Sequence, residues 1–224
     1  MYNVELCHLG DNCEPGIILD DILYINKKYP FMLGHYSFNH IVAYLRDNNY
    51  EKIYNKNHLK VEANNLVSHN VYNFKFNHDY KTSNGDITNY DHIKTRFDEK
   101  IKNFREMIQS PKMTIFVNFT NNVNGLDING MVEWLKINKS NSHIIIFTNN
   151  NYDAGKHNSP NLSIIKLEKS YASWWEIDKP KRRFLYKEIY EKFINCLNNK
   201  NIANNFPKSF KDTSYGQRHK DIVN

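Results

Sequence analysis

The sequence predicts an α/β fold, an open and mostly parallel sheet with helices on both faces. Two observations predict it. Short continuous apolar runs at Met113–Phe119, His143–Thr148 and Leu162–Leu167 read as strands buried on both sides, because a one-sided strand would alternate. A helical pattern near 126–138 separates the first two. Strands alternating with helices imply parallel connections that cover each face.

Taken in order, residues 3–9 form a short apolar run that suits a further buried strand. A helix is expected over 15–25, with Ile18, Ile22 and Ile25 on one face. Tyr29-Pro30-Phe31 interrupts the pattern and Gly34 marks a turn. Ser37 is expected to cap a second helix whose apolar stripe is Phe38, Ile41, Val42 and Leu45. Residues 48–70 are polar and Asn-rich, and no element is assigned to them. In 71–76, Tyr72, Phe74 and Phe76 alternate with Asn73 and Lys75. That predicts a half-exposed strand delivering Asn77-His78-Asp79-Tyr80 at its end. Residues 81–90, with Ser83-Asn84-Gly85-Asp86, read as a loop.

A strong helical signal spans 91–109, where Phe97, Ile101, Phe104 and Ile108 share a face and Ser110-Pro111 ends the run. Leu126, Val132 and Leu135 are the expected inner face of helix 126–138. Leu185, Ile189, Phe193 and Cys196 are that of a long helix over 181–198. Residues 1–206 are read as a single α/β domain of the three-layer Rossmann- or flavodoxin-like kind, followed by a polar tail at 207–224.

At 224 residues the chain can bury a sizeable core, and with 24% charged and 14% aromatic residues it is globular. The net charge of +6 permits an anionic partner, but the charges are mixed along most of the chain. The densest basic run, Lys179-Pro180-Lys181-Arg182-Arg183, reads first as a solvated helix entry and second as a contact for such a partner. Three cysteines, Cys7, Cys13 and Cys196, offer no disulfide framework and point to a reducing compartment. No apolar run approaches the roughly 20 residues of a membrane span, and no signal-peptide pattern opens the chain. The expected place is the cytoplasm, or the host cytoplasm or virion for a viral chain.

One stretch suggests chemistry. Val4 to Leu9 leads into Gly10-Asp11-Asn12, and a helix begins near Cys13 with Pro15 where a missing N–H is tolerated. A thiol at a helix N-terminus sits over unpaired N–H groups that favour its thiolate. If the first strand and strands 113–119 and 143–148 are parallel neighbours, their carboxyl ends share one rim. Cys13 then lies among Gly10, Asp11, Asn12 and Asn121, which could donate to an oxyanion. Of ten histidines, His78 stands out as a candidate base because it ends a strand and precedes Asp79. Cys7, His8 and Cys13 do not follow zinc-ligand spacing, and no Gly-rich phosphate loop occurs, so neither a metal nor a cofactor is expected.

The ordered set Leu9-Gly10-Asp11-Asn12-Cys13, Pro30-Phe31, His78-Asp79-Tyr80, and Arg96 to Ile108 leading into Ile115-Phe116-Val117 resembles a family of papain-like cysteine peptidases from bacteria and large DNA viruses. The family pattern is Ser-Leu-Gly-x-x-Cys, Pro-Phe-Asp-Trp and His-Asp-Phe. The resemblance covers roughly the first 120 residues. It implies Cys13 as nucleophile and His78 as base, with a papain-like α+β fold as the alternative architecture. Here Pro30-Phe31 continues as Met32-Leu33, so Asp79 or an Asn would have to orient the base. The opening turn is also similar to the Gly-Asn-Cys-Gln start of capsule-polysaccharide acyltransferase-like proteins. That implies acyl transfer from a donor such as coenzyme A.

The expected function is a cysteine-dependent, peptidase-like hydrolase with catalytic Cys13, His78 and Asp79. Its substrate is a polypeptide or an acyl or glycan group. The alternatives are an acyltransferase or esterase-like enzyme acting on a sugar or other polar acceptor, and an inactive binding or virion-associated protein.

Overall fold

A computed structural model describes residues 4–10, 13–23, 27–32, 35–76, 79–153, 159–168, 179–199 and 206–218, with the side chains of 13–15 and 179–181 outside the description. Strands β1 (Val4–His8), β7 (Met113–Phe119), β8 (Ser142–Thr148) and β9 (Leu162–Lys166) form a parallel sheet in that order. The register sets His8 beside Val117 and Asn118 beside Ile146. Helices cover both faces, giving the expected α/β layering.

Alternation along each strand divides the core in two. Val4, Leu6, Ile115, Val117, Phe119, Ile145 and Phe147 pack against helices α1 (Cys13–Leu23) and α5 (Lys179–Asn198). Cys7, Leu9, Phe116, Ile144 and Ile146 face α2 (Phe38–Asp47), α3 (Tyr90–Gln109) and α4 (Ile128–Asn138). The second layer is rich in rings meeting edge to face. Phe31 lies 5.6 Å from Tyr44 and 5.7 Å from Phe104, and Tyr36 lies 4.8 Å from Phe74. Such pairs add to the large apolar area each ring buries. This explains Pro30-Phe31, whose Pro turns the chain and whose Phe fills the layer.

Several expected elements shift. Helix α1 begins at Cys13, two residues early, and Pro15 falls in the first turn, where N–H groups lack partners anyway. Ile18 and Ile22 are buried as expected, while Ile25 lies outside the described residues. The same is true of Gly34. In α2 the apolar stripe holds, although Ser37 makes no side-chain cap. Residues 48–70 carry 3-10 turns at Tyr50–Tyr54 and Lys56–His58 and two three-residue strands, β2 (Leu59–Val61) and β3 (Val67–His69). Pieces this short leave no periodic signal.

The expected strand 71–76 is a correction. Tyr72, Phe74 and Phe76 are buried as predicted, but only β4 (Lys75–Phe76) joins a ladder, because Asn73 turns the backbone with φ +52°. The loop 81–90 holds a hairpin of β5 (Thr82–Ser83) and β6 (Asp86–Ile87). Its corner residues Asn84 and Gly85 both have positive φ, as a type I′ turn requires.

Helix α4 starts at Ile128, where the Asp127 side chain caps Gly130 N–H. Its buried face is therefore Ile128, Met131, Trp134 and Leu135, with Leu126 and Val132 only partly covered. In α5, Leu185, Ile189 and Phe193 are buried, while Leu197 takes the deep position expected of Cys196. Within the segment expected as a polar tail, Phe210 and Tyr215 are buried, and a short helix α6 (Ser214–Arg218) packs on α1. Arg218 pairs with Asp21 there. Of the basic run, Arg182 and Arg183 are half-buried near the start of α5. Among the described residues no helix is long and apolar enough to cross a membrane.

Candidate functional site

Successive strands of the sheet send their helices to opposite sides. After β1 the chain enters α1 on one face, and after β7 it enters α4 on the other. Where neighbouring exits diverge, the carboxyl ends of parallel strands border a crevice, which is where open α/β sheets bind ligands. That rule points to the carboxyl ends of β1 and β7 as the candidate crevice here.

Asn118, at the end of β7, is fully buried and donates from Nδ2 to the Leu9 carbonyl, while its Oδ1 has no partner among the described residues. Leu9 N–H donates to the Val117 carbonyl at 2.8 Å. The exit of β1 is thus tied to β7 twice before Gly10. Next along the rim, Asn121 is exposed and its carbonyl accepts from Asn150 Nδ2 at 2.6 Å.

Gly10 has φ +57°, and a Cβ there would overlap the carbonyl of Tyr36, so only glycine suits the position. Tyr36 in turn is fully buried, with its ring 5.9 Å from Phe76. Its hydroxyl has no partner among the described residues. Burial first, and then the charge of Asp79 and the phenol of Tyr80, push its ionisation well up. One residue therefore packs on Gly10 by its backbone and on the segment of Asp79 by its ring.

Asp79 is buried and held from α3. Arg96 stands 3.7 Å from its Oδ1, and Lys100, one turn further along, is also buried. Desolvation lowers the Lys100 pKa, and the nearby Asp79 carboxylate opposes that shift. Among the described residues Oδ2 of Asp79 has no partner, and neither does the Tyr80 hydroxyl. Asn89 fixes the turn, donating to the Asp79 carbonyl at 3.0 Å and accepting from Lys81 N–H at 2.7 Å.

On the other face, His8 is fully buried and burial lowers its pKa to about 3, so its imidazole is neutral. Neither ring nitrogen has a hydrogen-bond partner among the described residues. A Cβ built on Gly16, in the first turn of α1, would come within 3.3 Å of His8 Nδ1 and 2.7 Å of the Met32 carbonyl. Met32, standing where the resembling family has Asp, is buried and sets its carbonyl against this turn.

Of the expected site residues, Gly10, Asp79 and Asn121 are described. His78, Asp11 and Asn12 lie outside the described residues, as does the Cys13 side chain. The backbone of Cys13 opens α1 at the crevice. Cys7 is a poor nucleophile, since it is fully buried and desolvation, followed by Glu5, holds its thiol well above the ordinary range. Sequence reasoning offered Asn118, with Asn12 and Asn121, as a candidate orienter or oxyanion donor, and the residues it missed are His8 and Tyr36. Only His8 carried a signal, as a polar residue in an apolar strand. Among the described residues no cluster of His, Cys, Asp and Glu could hold a metal ion.

Residues 5–150 match the model of the family described as "putative papain-like cysteine peptidase". The chain belongs to this family. The family match spans β1 through β8 and so contains both borders of the crevice. The family description is consistent with the papain-like alternative for the architecture. No curated protein and no solved structure matches the chain.

Proposed function

We propose that this chain is a cysteine-dependent, peptidase-like hydrolase in which Cys13 is the nucleophile and His78 the base. One observation carries the reading. Tyr36 packs on both Gly10 and Phe76, so the segments that lead to Cys13 and His78 meet through a single buried residue. The family match, over residues 5–150, supports the cysteine-peptidase reading.

In this reading His78 takes the proton of Cys13, and the thiolate attacks the carbonyl carbon of the substrate. The N–H groups at the start of α1, with Gly10, Asp11, Asn12 or Asn121, stabilise the resulting oxyanion. The imidazolium then protonates the leaving group as the thioester forms, and water releases the acid. Asp79, buried beside Arg96, is the residue that orients His78.

The test is the pH dependence of Cys13 alkylation in the wild type and in His78→Ala. A thiolate populated well below pH 8.5, roughly the value of a free thiol, and lost in the variant is expected. An ordinary thiol indifferent to the substitution would sink the proposal.

The four-stranded parallel sheet also suits acyl transfer, in which a hydroxyl of a sugar or other polar acceptor replaces water in the second step. Mass spectrometry of Cys13 after incubation with acyl-coenzyme A separates the two, since only a transferase should be acylated by that donor.

A further inference from the structure

The buried imidazole of His8 is used by nothing described so far. A fully buried polar side chain with no partner is rare and calls for an explanation. Its Nδ1 points at the first turn of α1, where it comes within 3.3 Å of the Cβ position of Gly16. Gly16 and Cys13 are three residues apart on that helix, hence neighbours on one face, about 5–6 Å apart at their Cβ positions. Residue 16 has no side chain to come between the ring and that face. We propose that His8 is a positioning residue for Cys13, a neutral imidazole beneath the first turn of α1 that donates its N–H to the thiolate.

The proposal rests on Cys13 being the nucleophile, and it gives His8 a part distinct from that of His78. No proton leaves His8 at any step. Its single N–H donates to the thiolate, while His78 accepts the proton that Cys13 loses. A neutral donor suits this place, because burial keeps the ring uncharged through the working pH range and its hydrogen bond needs no counter-charge. The helix N-terminus and the imidazole would then favour the same thiolate.

The experiment measures Cys13 alkylation against pH in the wild type, His8→Leu and His8→Asn, with folding checked by circular dichroism. His8→Leu removes the donor, so alkylation at pH 6 should slow by about tenfold or more, the value of a hydrogen bond to a charged group. His8→Asn keeps an N–H near the position of Nδ1 and should recover most of the rate. In the wild type, the ring-nitrogen resonances of His8 should shift when Cys13 is alkylated, a readout that needs no variant to fold. A low thiol pKa that is unchanged in folded His8→Leu, or resonances that do not move, overturns the role of His8 alone. A wild-type Cys13 that titrates as a free thiol overturns the nucleophile reading and this proposal with it.

Discussion

The carbonyl of Tyr36 occupies the space that a side chain on Gly10 would need. With φ at +57°, Gly10 also sits in a region that costs other residues roughly 1–2 kcal/mol. Gly10→Ala should therefore lose about 2 kcal/mol or more of stability in urea denaturation, since backbone must move as well. A variant as stable as the wild type would show that the two segments do not pack as described.

Asn118 makes the complementary link across the crevice. Replacing it with Leu keeps the volume but leaves the Leu9 carbonyl buried without its side-chain donor. A loss of about 1–3 kcal/mol is expected for an orphaned buried group. Faster hydrogen exchange at Leu9 than at Ile145 would locate the damage at the exit of β1, and equal protection at both would argue against it.

How far the sequence reads correctly follows from the physics of each element. The strand at Met113–Phe119 was legible residue for residue because a short, mostly apolar run rich in β-branched and aromatic residues, bounded by Ser110-Pro111, suits a strand buried on both faces. Phe97, Ile101 and Phe104 marked α3 by spacing alone. Val67–His69 was not legible, because a three-residue strand has no period and exists only through its partners Leu59–Val61 and Lys75–Phe76. Asn84-Gly85 did carry a hairpin signal that the loop reading passed over. At the site, Gly10 and Cys13 were visible as a turn and a helix start. The meeting of Tyr36 with Gly10 was not, since no local pattern announces a contact 26 positions away along the chain.

The neutral His8 imposes a pH dependence on stability. Its native pKa is lowered to about 3, against roughly 6.5 when unfolded. Above pH 6.5 both states are neutral and the contribution is fully present. Between 6.5 and 3 the unfolded chain binds a proton that the native state refuses, so stability falls with pH by about 1.4 kcal/mol per unit. Burial lowers the His69 pKa in the same direction, so the wild-type slope contains both. Denaturation of His8→Leu at pH 6 and pH 4 should show a slope smaller by about one proton, and equal slopes would contradict a buried neutral His8.

The C-terminal segment supplies core. Phe206, Phe210 and Tyr215 are buried, the Phe206 ring lies 5.2 Å from Phe193, and that of Tyr215 lies 4.5 Å from Tyr186. Tyr215→Ala should cost about 3 kcal/mol, in the range for a large aromatic cut from a packed site. A substitution that leaves the denaturation midpoint unmoved would mean the segment does not dock on α1 and α5 in solution.

Because β1 hands the chain to one helical layer and β7 hands it to the other, the crevice is also a seam. A molecule lodged there would lie where the two halves of the core meet, above the fully buried His8 on one side and Tyr36 on the other. Occupancy of the site would then stitch the two layers together. A bound inhibitor should accordingly slow the opening of amides on both faces of the sheet, well beyond the residues it contacts.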